Sequence, residues 1–103
     1  MIWYNNYMQP TIAKIKQEIV PILRRHHIQR ASLFGSIVHG NMHEGSDVDV
    51  LVELPEEYSL YDMLGVKIEL EEYIGRKVDL VEYNCIKEKL KKGILSSQVP
   101  IIS

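Results

Sequence analysis

Three aspartates and one Gly-Ser pair hold most of the chemistry this sequence can offer. Asp47 and Asp49 stand two residues apart in DVDVLVEL, residues 47–54, and Asp79 sits inside Val78-Asp79-Leu80-Val81. On a strand, side chains two apart leave the same face, so the first two carboxylates start roughly 6–7 Å apart. Adjacent acids repel one another and are poor strand formers, so packing gains nothing from them there. Val48, Val50 and Val52 take the opposite face, where burial offsets that cost. Convergent carboxylates are what hard divalent cations require, and Mg²⁺ held this way keeps positions for water and phosphate oxygens. If the strand around Asp79 lies beside the strand around Asp49, all three acids share one face. They could then hold two metal ions ~3.5–4 Å apart, the arrangement that stabilises both attacking and leaving oxygens in phosphoryl transfer.

Singly, each acid has an ordinary explanation: a turn cap, an edge-strand gatekeeper or a solvated strand residue. Gly35-Ser36 adds an independent signal. A glycine at a strand-to-helix turn lets backbone approach a ligand closely, and free N–H groups at a helix start bind phosphate. The Ser36 hydroxyl supplies a further donor. Ten residues separate Ser36 from Asp47, so the pair becomes one end of a phosphate cradle whose other end is the acid cluster.

The elements that must position these residues read as follows. Residues 1–10, MIWYNNYMQP, have no clear period and are expected to form an N-terminal tail; residues 11–103 form the folded domain. From Thr11 the apolar spacing of Ile12, Ile15, Ile19, Ile22 and Leu23 predicts a helix. Pro21 falls inside it and should kink it or start a second helix. Ala31 to Phe34 reads as a short buried strand ending at Gly35, and residues 36–46 hold one helical turn at most. The alternating run 47–54 is the clearest strand in the chain and stops at Pro55. Ser59 and Asp62 predict a capping box for a helix to Gly75, with Leu60, Met63, Leu64, Leu70 and Ile74 on its core face. Lys77 to Tyr83 reads as a third strand and residues 86–95 as a last short helix. This order predicts an α/β (α+β) layer fold, a small sheet covered by helices.

Gly35-Ser36, ten residues, then Asp47-Val48-Asp49 resembles the GS-x10-D-x-D signature of the polymerase β-like nucleotidyltransferases. Length and element order resemble their minimal nucleotidyltransferase group over about residues 12–100, including ILRRHHIQRASLFGS before the motif and GRKVDLVEY after it. The resemblance implies a mixed sheet whose first two strands are antiparallel. It implies that Gly35 and Ser36 hold the nucleotide triphosphate and that Asp47 and Asp49 bind Mg²⁺, two ions in all. Asp79 would complete the metal site and help deprotonate the attacking hydroxyl. It further implies an antitoxin that binds a small helical HEPN ribonuclease toxin and transfers AMP from ATP to a toxin tyrosine. One position departs from the pattern: the family often carries Arg before the second glycine of GSxARG, where this chain has His39 in Val38-His39-Gly40.

Composition narrows the alternatives. The chain has 103 residues with 12 Lys+Arg against 14 Asp+Glu, a formal charge of −2, so no global basic field favours nucleic acid. A single cysteine, Cys85, excludes an internal disulfide and suits a reducing, cytoplasmic setting. No apolar run approaches a membrane span, and Met1 to Pro10 does not read as a signal peptide. His39 and His43 with Glu44 have zinc-like spacing, but Gly40-Asn41 breaks the helix such a site needs. His26-His27 suits a helix C-terminus, and Lys87, Lys89, Lys91 and Lys92 read as a solvated helix face. No basic pattern activates Cys85. The leading expectation is therefore an ATP-dependent nucleotidyltransferase acting on a hydroxyl of a partner protein, with a homo-oligomer allowed. The rival is a binding antitoxin or adaptor that neutralises its partner by contact alone. A third reading, transfer to a small molecule, lacks a second domain to hold the acceptor.

Overall fold

In the computed structural model, residues 11–40, 46–86, 93–95 and 97–102 are described. Helix α1 spans Ile12–Arg25, and Thr11 caps it by accepting from the Lys14 N–H at 3.1 Å. Its buried residues, Ile15, Ile19, Ile22 and Leu23, repeat at helical spacing along one stripe. Pro21 neither divides the helix nor starts another. Pro21 and Gln17, whose carbonyl loses its N–H partner, both face outward, so water can serve that carbonyl.

Strand β1 (Ala31–Phe34) leads into the short helix α2 (Ser36–His39), then β2 (Val48–Val52), α3 (Leu60–Ile74), β3 (Val78–Glu82), a 3₁₀ turn over Tyr83–Cys85, and β4 (Val99–Ile102). The strands lie in the order β3-β2-β1-β4. β1 runs antiparallel to β2 and β4, while β2 and β3 are parallel, as a crossover through α3 requires. The mixed sheet and the antiparallel first pair match the expectation. Val48, Val50, Val52, Val78 and Leu80 join Ile15, Ile19, Leu23, Val66 and Leu70 in one apolar core, so α1 and α3 cover a single face.

The capping box of α3 forms as expected. Ser59 Oγ accepts from the Asp62 N–H, Asp62 Oδ2 accepts from the Ser59 N–H at 2.8 Å, and Gly75 closes the helix in a left-handed conformation. Its core face differs from the expected one. Val66 and Leu70 are buried and Met63 and Ile74 partly so, whereas Leu60 and Leu64 point to solvent. Apolar residues surround this helix, so periodicity alone did not single out the buried side.

Strand β4 was not anticipated. It lies at the sheet edge beside β1, where Pro100 is tolerated because an edge strand has one free side. The expected helix over 86–95 falls largely outside the described residues, although 93–95 are helical. The expected tail 1–10 and Lys87, Lys89, Lys91 and Lys92 also lie outside them. No helix among the described residues is long and apolar enough to cross a membrane.

Candidate active site

The face of the sheet opposite the helices carries the acids. Alternation along β2 sends Val48, Val50 and Val52 into the core and leaves Asp49 and Leu51 on the other side. In the parallel β2–β3 ladder Asp49 stands directly opposite Asp79, so the two carboxylates share that face in register. Asp47 lies immediately before β2, exposed to solvent. Across β1, Phe34 is paired with Asp49, and the chain then turns at Gly35 into α2.

Gly35 is where the two halves of the motif meet. Its φ of 76° and ψ of −145° belong to a region that side chains rarely enter. A Cβ placed there would collide with the Asp49 carboxylate. The glycine thus meets both a backbone requirement and a contact requirement. Ser36 opens α2, whose first N–H groups have no partner within the helix, while the Gly35 carbonyl accepts from Val38 and His39. His39 is exposed at the far end of this turn. His43 and Glu44, the remaining members of the zinc-like spacing, lie outside the described residues.

Sequence reasoning did not find the groups that hold β3 in place. Glu71 Oε2, on α3, accepts from the Val78 N–H at 2.9 Å and from Lys67 Nζ at 2.9 Å. The Val78 N–H, and then Lys67, holds the Glu71 carboxyl below the usual carboxylate range. The Val48 N–H donates to the Lys77 carbonyl at 2.9 Å, and Arg76 reaches the Ser46 carbonyl at 3.4 Å. These bonds fix both strand entries beside Asp47 and Asp79. The Lys67–Glu71 spacing of four was the only available sign. Further along the same face the Tyr83 hydroxyl meets Ser32 Oγ at 2.7 Å, with the Arg30 guanidinium 4.0 Å from its ring centroid. Leu51, between the strands they join, is fully buried.

Burial, then the Asp79 charge, then the Asp47 charge push the Asp49 carboxyl up to about 6. Among the described residues no cation pairs with any of the three acids, and no three His, Cys, Asp or Glu side chains stand close enough to hold an ion together. The acids are therefore neighbours under mutual repulsion rather than a closed cage. Hard oxygen donors in that state suit a divalent cation.

The repulsion has a thermodynamic signature. A carboxyl raised in the folded state binds its proton more tightly folded than unfolded, so its contribution is favourable at low pH. Stability is then lost as pH rises from about 4 through about 6. Solvent reaches this half-buried group and discounts the effect, leaving on the order of 1 kcal/mol. Asp49→Asn is expected to raise the metal-free melting temperature at pH 7.5 and to flatten its pH dependence between 4 and 6; thermal melts across that range check it.

Comparison with known proteins places this geometry. The polymerase beta nucleotidyltransferase family model matches residues 17–103. A Methanocaldococcus jannaschii protein named as a candidate protein adenylyltransferase is 45% identical over 91 residues, covering 88% of this chain and 98% of that protein. Protein adenylyltransferase MntA of Thermococcus cleftensis is 34% identical over 91 residues, covering 81% and 92%. Two solved structures share the fold. One is a toxin–antitoxin with AMP-PNP, at a TM-score of 0.73 and 23% identity, covering 84% of this chain and 71% of that one. The other is a tri-AMPylated Shewanella oneidensis HEPN toxin in complex with an MNT antitoxin, at a TM-score of 0.66 and 19% identity, covering 84% and 68%.

Proposed function

This chain belongs to the polymerase beta nucleotidyltransferase family, and from that premise we propose that it is a protein adenylyltransferase that moves AMP from ATP onto a partner hydroxyl. The observation that carries the reading is the in-register Asp49–Asp79 pair with Gly35 pressed against Asp49. Relatives named as adenylyltransferases and an AMPylated HEPN toxin in a structural neighbour support AMP as the group moved. The AMP-PNP complex of another neighbour supports ATP as donor. By the same support the partner is a HEPN-type toxin and this chain the antitoxin; the family resemblance of the motif makes a toxin tyrosine the acceptor of this proposal. Residues 11–103 act as the catalytic domain.

The roles follow from placement. Gly35 and Ser36 lie at the start of α2, where backbone N–H groups and the Ser36 hydroxyl orient the triphosphate. Asp47, Asp49 and Asp79 would hold Mg²⁺, which when bound supplies charge neutralisation for the phosphates. Asp79, exposed on its strand, takes the proton from the acceptor hydroxyl. That oxygen bonds to the α-phosphorus in line as the bond to the β-phosphate bridging oxygen breaks, and pyrophosphate leaves. Burial of Val48 and Val50 on the opposite face keeps the strand rigid, so the carboxylates need little reorganisation.

Separate reactions with ATP labelled at the α- or the γ-phosphate, Mg²⁺ and a purified HEPN-type partner test the reading. Label on the partner from α-labelled ATP alone supports it. Label from γ-labelled ATP would make the chain a kinase instead. No label from either, with the partner bound in the same tube, would leave the contact antitoxin.

A further inference from the structure

The outer side of α3 carries a second apolar stripe that no described residue packs against. Tyr61, Leu64, Gly65 and Ile68 follow the i, i+3, i+4, i+7 spacing of a packed helix face, yet they lie opposite the buried Val66 and Leu70. Tyr61 is 88% exposed, Leu64 49%, Ile68 45%, and Leu60 beside them 81%. Together they expose on the order of 500 Å² of mostly apolar surface, at the upper end of what a monomer carries without a purpose. That is more than half of one side of a standard protein interface.

Gly65 sharpens the point. Glycine is the poorest helix former after proline. Here it sits mid-helix with nothing within 4 Å of the position a Cβ would occupy and no left-handed φ to demand it. No described residue requires its small size. A notch between Tyr61, Leu64 and Ile68 is what a second helix needs to approach closely.

The border of the stripe identifies the kind of occupant. Glu56 and Glu57 precede the helix, Glu72 follows Ile68 by one turn, and all three are exposed and outside any ion pair among the described residues. The nearby cations Lys67 and Arg25 are engaged by Glu71 and Glu69. A second copy of this chain would bring acidic borders against acidic borders. We infer that the outer face of α3 docks a separate protein through an apolar helix flanked by lysine or arginine. The catalytic carboxylates lie on the other side of the sheet, so docking here leaves them open. The inference goes beyond the proposed transfer and survives its failure, because binding at α3 does not depend on the acids.

Titration calorimetry with two amphipathic helical peptides, one of leucine and lysine and one of leucine and glutamate, tests it on the full chain. The lysine peptide is expected to bind and the glutamate peptide not to bind. Ile68→Glu is expected to weaken binding at least tenfold although it adds an acid, and Asp49→Asn to leave it unchanged. Gly65→Ala is expected to raise the melting temperature while weakening binding, a combination no purely structural glycine gives. Binding that survives Ile68→Glu would reduce the face to general charge attraction and overturn the proposal. So would a dimer in sedimentation that Ile68→Glu dissociates, which would make the occupant a second copy. Binding seen only after residues 1–10 are removed would make the occupant this chain's own N-terminal segment, with the same consequence.

Discussion

Asp49→Asn is expected to lower adenylate transfer by on the order of a thousandfold while making the metal-free protein more stable. The two effects have one cause. Asp49 is half-buried, faces Asp79 in register and lies near Asp47, and that environment raises its carboxyl to about 6. The charge the fold would rather neutralise is the charge a cation and a triphosphate need. Asparagine keeps the shape and removes the charge. A gain on the order of 1 kcal/mol corresponds to about 4–8 °C in a domain of this size. Asp79→Asn should act similarly on transfer, with the additional loss of the proton acceptor. Initial rates and melting curves on the same preparations check both halves. A variant that loses transfer and also melts lower would point to a folding role for the acid instead.

Gly35→Ala is expected to cost about 2 kcal/mol of stability and on the order of a hundredfold in transfer. Its backbone lies in a region that excludes side chains, and the added carbon falls on the Asp49 carboxylate. The carboxylate must swing aside, and displacements of about 1 Å at such a site have effects of that size. Gly75→Ala is the control. Gly75 has nearly the same φ, 72°, but nothing lies within 4 Å of its Cβ position. That variant should lose about 1 kcal/mol and no transfer beyond what stability explains. Equal transfer losses in the two variants would place the effect in the backbone alone.

The motif residues were legible because their patterns are local. DVDVLV shows its strand and its two faces in six residues, and the Ser59–Asp62 capping box is a spacing of three. Asp79 could be placed only conditionally, since its value depends on which strand β3 joins, a non-local fact settled by the β2–β3 ladder. The same limit hid β4, where Val99-Pro100-Ile101-Ile102 is a short run with a proline and gains its strand character by pairing with β1. Leu60 and Leu64 misled because α3 is apolar on both sides, one for its own core and one exposed. The expectation that Pro21 kinks the helix or starts a second one assumes that a carbonyl deprived of its N–H partner is costly, a cost an outward-facing turn relieves, and the helix runs on through it. Glu71 could not be recognised from sequence, since its task is to accept from Val78, seven residues away across a turn.

The central claim is that the acids on the sheet face opposite the helices transfer adenylate to a partner rather than merely mark a binding surface. The most direct measurement is the intact mass of a HEPN-type partner co-expressed with the native chain or with Asp79→Ala, each pair co-purified. The account predicts a partner heavier by one or more adenylates with the native chain, and an unmodified partner, still bound, with the variant. An unmodified partner in both complexes would contradict it.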